Sequence, residues 1–333
     1  MSHMQEGLMS TFDQAVIVNV PGKLFFAGEY AVTRPEGLAL VTTIATDFTV
    51  KISAGDSSSH LQTNVAMADY DFSINKISVT SDNPWNFALT ALKKTLEFTD
   101  GSISKVKNVW PEVTIEITSD MGFGDRKKGY GSSASVVCGV VNATNTYFKL
   151  GLTLAERFVI AAEAHYEVQG SGSMGDIAAI MYGGSVFYKN RTQVLPLDMP
   201  WATYVVQTQK AAKTSEKLKI ELSDDFYQTS DHLVRALTAA IAQQDFPCFK
   251  EKLLENQKLL LHHIPEGYMT DKLSLALKMI NAYPEFAGKI SGAGFGENVI
   301  LFAENEAPIK VLQKKLEDHG IHLFKAEISE KNT

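Results

Sequence analysis

Lysine, glycine and serine crowd together at Lys127-Lys128-Gly129-Tyr130-Gly131-Ser132-Ser133-Ala134-Ser135, a combination suited to gripping an anion. The stretch opens an apolar helical pattern. Val136, Val140 and Tyr147, with Val137, Val141, Thr144 and Phe148, recur at steps of three or four, and Gly151 marks the end. At a helix start the first N–H groups lack intrahelical acceptors and the macrodipole adds partial positive charge, while glycine lets a phosphate approach with no Cβ in the way. Serine hydroxyls add donors or a metal ligand. A Walker loop is excluded because Gly124 and Gly129 are followed by Tyr130 and Gly131 rather than lysine and a hydroxyl residue. A nucleophile elbow is excluded because Gly131-Ser132-Ser133-Ala134-Ser135 lacks its last glycine. An ordinary core helix with a serine-rich N-cap has the same composition and stays open.

Three further clusters carry chemistry. Lys23 follows Pro21-Gly22, and Gly28-Glu29-Tyr30 places an acid and a phenol shortly after it; the lysine is either a solvated edge residue or one that reaches toward phosphate oxygens. Gln169-Gly170-Ser171-Gly172-Ser173-Met174-Gly175-Asp176 is a second small-residue loop, whose aspartate is either an N-cap or a catalytic group. His165, just ahead of it, reads as a core histidine. Ser291-Gly292-Ala293-Gly294-Phe295-Gly296 is a third, spaced differently from a dinucleotide fingerprint.

The elements that must hold these clusters follow from periodicity. Ala15 to Val20 reads as a strand, Pro21-Gly22 as a turn and Lys23 to Ala27 as the return strand. Leu38 to Ile44, Phe48 to Ile52 and Val113 to Thr118 are further strands, and Asn83-Pro84 opens a helix to about Phe98 with Trp85 in the core. Thr153-Leu154-Ala155-Glu156 is a capping box that starts a helix to around His165. The polar stretch from Lys189 to Pro200 separates two domains, 12–195 and 196–333. Beyond it, strands at Thr203 to Thr208, Gly288 to Ser291, Val299 to Ala303 and His322 to Ile328, with helices between, give the split β-α-β order of ferredoxin-like domains.

A chain of 333 residues that is 45% apolar can bury a real core. No apolar run is long enough for a membrane helix, and Met1 to Phe12 has neither the basic start nor the apolar core of a signal peptide. Two cysteines, Cys138 and Cys248, make no metal or redox pattern, which fits a reducing cytoplasm. A net charge of −7 argues against nucleic-acid binding and leaves any anion site to local groups. Lys210, Lys213, Lys217 and Lys219 form a second basic cluster.

Taken together, Pro21-Gly22-Lys23-Leu24-Phe25-Phe26-Ala27-Gly28-Glu29-Tyr30-Ala31-Val32, Gly129 to Ser135 and Lys289-Ile290-Ser291-Gly292-Ala293-Gly294 resemble, in order, the three motifs of the GHMP kinases. The resemblance implies an α+β two-domain fold, with an N-terminal ribosomal-protein-like α/β domain, a C-terminal ferredoxin-like domain and the active site between them. It implies ATP and Mg²⁺, with Lys128, Gly129, Tyr130, Gly131, Ser132, Ser133, Ala134 and Ser135 around the nucleotide and Lys23 and Asp176 as catalytic residues. Gly-Glu-Tyr and Gly172-Ser173-Met174-Gly175-Asp176 look most like the bacterial phosphomevalonate kinase branch. That implies phosphomevalonate as acceptor, with Lys127, Ser173, Lys213, Ser215, Gly292, Ala293 and Gly294 around it. Ser133 and Glu163 are the expected metal ligands, Glu163 being imperfectly spaced. Asp125 and Tyr130 depart from the usual proline and leucine. A monomer or homodimer is expected. Mevalonate kinase, another small-molecule kinase of the family and a non-catalytic nucleotide sensor are the alternatives.

Overall fold

Short apolar runs build three sheets in the computed structural model, which describes residues 14–103, 109–122, 128–208, 220–265, 267–295 and 298–332. In the first, β1 (Val16–Asn19), β4 (Thr49–Ala54), β7 (Val113–Thr118), β5 (Ser59–Thr63) and β6 (Tyr70–Phe72) lie in that order, with β5 parallel to β7. The second is β2 (Gly22–Ala27), β3 (Leu38–Ile44), β8 (Ser185–Lys189) and β9 (Gln193–Leu197). The third is β11 (Phe286–Ile290), β12 (Asn298–Ala303), β10 (Ala202–Gln207) and β13 (His322–Lys325), antiparallel throughout. This is the ferredoxin-like strand order. Eight α-helices are described: α1 (Asn86–Ile103), α2 (Ser132–Tyr147), α3 (Leu154–Gln169), α4 (Gly175–Tyr182), α5 (Asp224–Gln243), α6 (Phe246–His263), α7 (Asp271–Asn281) and α8 (Ile309–Glu317). Among the described residues, no helix is long and apolar enough to cross a membrane.

The expected strand, turn and return strand at residues 15–27 do not form a hairpin. β1 pairs with β4 and β2 with β3, in different sheets. Contacts to the start of α2 explain the switch. The Lys23 amide donates to the Tyr130 carbonyl at 2.9 Å, Ser135 Oγ donates to the Pro21 carbonyl at 3.0 Å, and a Cβ on Gly22 would lie 2.8 Å from Tyr130 Cβ. Pro21-Gly22 therefore threads the chain from one sheet to the next past a helix, instead of reversing it.

The capping box at Thr153 is present with both bonds, but α3 runs a turn beyond His165 to Gln169, where Gly170 takes the left-handed conformation (φ 71°). Trp85 is buried and α1 extends to Ile103. β9 pairs with β8 as far as Leu197, and β10 of the third sheet begins at Ala202.

One apolar cluster crosses from the first two sheets into the third. Phe26 and Leu40 belong to it together with Val234, Leu237, Phe249 and Phe302, and the rings of Phe26 and Phe302 meet edge-on at 5.2 Å. A buried ion pair crosses at the same level: Lys289 Nζ on β11 donates to Glu29 Oε1 at 2.5 Å, both side chains being almost without solvent exposure. Burial holds the Lys289 pKa below its ordinary value, against the opposing pull of Glu29. A buried charge that loses its partner costs far more than the pair contributes. Lys289→Met alone is therefore expected to destabilise the fold by about 3–5 kcal/mol, and the Glu29→Gln, Lys289→Met double variant by clearly less. Urea unfolding of the four proteins of that cycle measures the difference.

Candidate active site

The first turn of α2 presents open backbone donors of the kind that suit an anion. Its N-cap is Gly131, left-handed at φ 83° and ψ 42°, with no side-chain cap. A serine-rich N-cap, one reading of the motif, is therefore not what forms. Helical bonding begins with the Ser135 amide on the Gly131 carbonyl at 3.0 Å, so the amides of Ser132, Ser133 and Ala134 lack intrahelical acceptors at the positive end of the helix.

Lys23 stands beside this turn. Its Nζ lies 3.4 Å from the Gly129 carbonyl and 5.5 Å from the centre of the Phe25 ring, a loose hold that leaves donors to spare. A Cβ on Gly131 would lie 2.8 Å from Lys23 Cε. Glycine at 131 thus serves both the left-handed backbone and the close passage of the lysine.

A cleft of about 270 Å³ opens in front of these groups, lined by Lys23, Phe25, Glu29, Tyr30, Thr33, His165, Ser173, Asp176, Gly292 and Ala293 among others. Asp176 reaches it from the first turn of α4, whose N-cap is Met174 rather than the aspartate; Asp176 Oδ1 accepts from the Ile177 amide at 2.9 Å. From the far side, the Tyr30 hydroxyl donates to the Ala293 carbonyl at 2.7 Å and draws the third small-residue loop to the rim. Burial, with Glu29 adding to it, keeps the Tyr30 phenol well above its ordinary pKa and so protonated as that donor.

Lys23, Asp176, Ser173, Gly292 and Ala293 are thus brought to one cleft, and Ser133 adjoins it through His165, whose Nε2 lies 3.3 Å from Ser133 Oγ. Other expected residues are placed elsewhere. Ser135 is fully buried and its hydroxyl is directed to the backbone of Pro21 and Gly131, and Ala134 is buried, so neither offers a side chain to a ligand. Tyr130 is buried, and burial followed by the charge of Asp120 pushes its phenol well above its ordinary pKa. Lys128 pairs with Asp120 at 3.3 Å, and its carbonyl accepts from Asn298 Nδ2 at 2.8 Å. Gly294 packs on Tyr268, where a Cβ would lie 2.2 Å from the ring. Glu163 sits exposed on α3, acting on Lys94 rather than on the cleft, so it is not brought to the expected metal site. Lys127, Lys213 and Ser215 lie outside the described residues.

Sequence reasoning missed the place of His165. It is buried, packs its ring 5.2 Å from that of Phe87, and still reaches the cleft. The available signal was its position in the buried stripe of Ile160, Ala161 and Ala164, one turn before a glycine loop. Phe25 was read only as part of a strand, whereas Tyr30 was singled out as a phenol without its bond to the third loop.

Comparison with known proteins agrees with this architecture. A family model described as the GHMP kinases N terminal domain matches residues 86–184, and one described as GHMP kinases C terminal matches residues 237–322. A phosphomevalonate kinase of Streptomyces sp. (strain CL190) is 28% identical, over 94% of this chain and 97% of its own. A mevalonate kinase of Methanocaldococcus jannaschii is 25% identical, over 93% and 98%. A solved structure of Streptococcus pneumoniae phosphomevalonate kinase, in complex with phosphomevalonate and AMPPNP, superposes with a TM-score of 0.83 at 22% identity, over 94% of this chain and 99% of the other.

A methyl group at position 131 should disturb both the backbone and the lysine. Gly131→Ala is expected to lower stability by about 1–2 kcal/mol for the left-handed residue, and to weaken binding of inorganic tripolyphosphate at least about tenfold. Isothermal titration and urea unfolding read the two effects separately.

Proposed function

The chain belongs to the GHMP kinases, and from that premise we propose that it transfers the γ-phosphoryl group of ATP to 5-phosphomevalonate, giving 5-diphosphomevalonate and ADP. The observation that carries the proposal is the meeting of Lys23 and Asp176 in one cleft beside the open amides of α2. The acceptor is drawn from the likeness to phosphomevalonate kinases in sequence and fold.

In this reading the amides of Ser132 to Ala134 and the hydroxyls of Ser132 and Ser133 cradle the triphosphate. Phosphoryl transfer needs alignment and neutralisation of charge on the equatorial oxygens more than covalent help. Lys23 supplies that charge from the side of β2. A phosphomonoester with a second pKa near 6 is mostly dianionic at neutral pH, so the acceptor needs no general base. Asp176 orients it, with Ser173 from the same loop and Gly292-Ala293 closing the opposite wall.

The donor set fits a magnesium ion brought in on the nucleotide. Ser133 Oγ and the Asp176 carboxylate are hard oxygen ligands, and the described residues hold no cluster of three or more His, Cys, Asp or Glu that would form a closed metal cage. Few protein ligands with the remainder from phosphate and water is the usual magnesium arrangement. When bound, the ion would supply positive charge to offset that of the transferring phosphoryl group. With mevalonate as acceptor, a reading favoured by the Methanocaldococcus relative, Asp176 would instead take the proton of an alcohol.

Coupled ADP release with mevalonate, phosphomevalonate and homoserine offered separately tests the assignment. Phosphomevalonate is expected to support turnover best, and Lys23→Met or Asp176→Ala to lower it at least about tenfold, roughly 1.4 kcal/mol of barrier. Turnover on mevalonate alone would move the chain to the second reading, and full activity in either variant would remove that residue from the mechanism.

A further inference from the structure

The loop that delivers Asp176 is bent through three left-handed residues, Gly170 (φ 71°), Gly172 (φ 121°) and Met174 (φ 62°). Met174 gains nothing from that conformation, which an L side chain adopts at a cost, so neighbouring structure must impose it. Two rings lie directly beneath: a Cβ on Gly175 would come 2.9 Å from Phe25 Cζ and 3.3 Å from Tyr188 Cδ1.

Tyr188, on β8, is buried, and a buried phenol is tolerated only where its hydroxyl finds partners. The partners here are the cleft's own walls. The Tyr188 hydroxyl donates to the Ser173 carbonyl at 2.7 Å, with Asn190 Oδ1 at 3.1 Å sharing the same hydrogen, and it accepts from the Arg191 amide at 3.4 Å. Asn190 Nδ2 in turn donates to the carbonyls of Val32 at 2.8 Å and Arg34 at 3.0 Å. Val32 and Thr33 line one side of the cleft, and Ser173, Met174 and Asp176 another. The end of β8 therefore binds the two walls together through Tyr188 and Asn190.

We propose that Tyr188 is a positioning residue of this site, its hydroxyl fixing the Ser173–Asp176 segment so that the Asp176 carboxylate is held at the reacting groups. This rests on the reading that Asp176 takes part in phosphoryl transfer. Burial raises the phenol pKa, the Arg191 amide pulls it back and the charge of Asp176 raises it again, to about 12 in all, so the hydroxyl remains a donor at any working pH. Tyrosine rather than phenylalanine is needed because the ring alone fills the space under Gly175 without holding the loop's backbone.

Tyr188→Phe keeps that ring and removes only the donor. It is expected to lower kcat about tenfold with KM for ATP unchanged. In an Asp176→Asn background the same substitution is expected to change kcat less than about twofold, because a residue acting through another is non-additive with it. Amide exchange at residues 171–177 of the free protein should rise at least about fivefold. Unchanged kcat, an undiminished loss in the Asp176→Asn background, or unaltered exchange would each overturn the inference. A wild-type protein that turns over no acceptor would sink the proposed reaction instead, and the exchange measurement then decides whether Tyr188 anchors the loop.

Discussion

Lys23 passing under Gly131 is the contact on which the rest of the site depends. A side chain at 131 would lie 2.8 Å from the lysine stem, and the lysine amide is already bonded to the Tyr130 carbonyl. The strand and the helix start thus approach each other so closely that a side chain at 131 would displace the lysine. The consequence is electrostatic as well as steric: an ammonium group and amides without intrahelical acceptors are fixed side by side. Ser135, sealed on Pro21, is the rivet that keeps the helix from sliding away.

The same short segment joins the sheets. β1 leaves the first sheet at Asn19 and β2 enters the second at Gly22, so the site lies where two sheets and one helix converge. The third sheet is attached by the Phe26–Phe302 contact, by Lys289 on Glu29 and by Tyr30 on Ala293. These three contacts leave from β2 or the turn that follows it, and Asn298 on the Lys128 carbonyl adds a tie to the start of α2. β2 and the turn after it therefore carry the lysine, the acid and the phenol to the cleft and also help anchor the C-terminal part of the chain against it.

How much of this was legible in the sequence depended on whether the determinants were local. The Thr153 box, the start of α2 and the strands β3 and β7 were legible because caps and periodicity act within a few residues. Pro21-Gly22 misled because a turn signature says where the chain may bend but not what it pairs with; Tyr130, more than a hundred residues away, decided that. Polar residues on buried faces were the other blind spot. His165 looked like core and is core, yet it touches Ser133, and Ser135 looked like a phosphate donor but spends its hydroxyl on backbone. Glu163 shows the reverse case, a carboxylate at nearly suitable spacing whose helical phase leaves it exposed.

Charge explains why the buried pair matters to the chemistry and not only to the fold. Among the described lining residues Lys23 is the sole lysine or arginine, whereas Glu29 and Asp176 are both acids. Two unpaired carboxylates in so small a space would repel an incoming polyphosphate and compete for the lysine. Lys289 removes one of them from the balance by holding Glu29 from behind, out of the solvent. Lys23 is then opposed by Asp176 alone, with the α2 dipole on its side. Replacing the Glu29–Lys289 pair by an apolar one would preserve this balance, while removing Lys289 alone would leave a buried carboxylate without its counter-charge beside the cleft. The third sheet thus contributes to the electrostatics of the cleft through a lysine that does not line it.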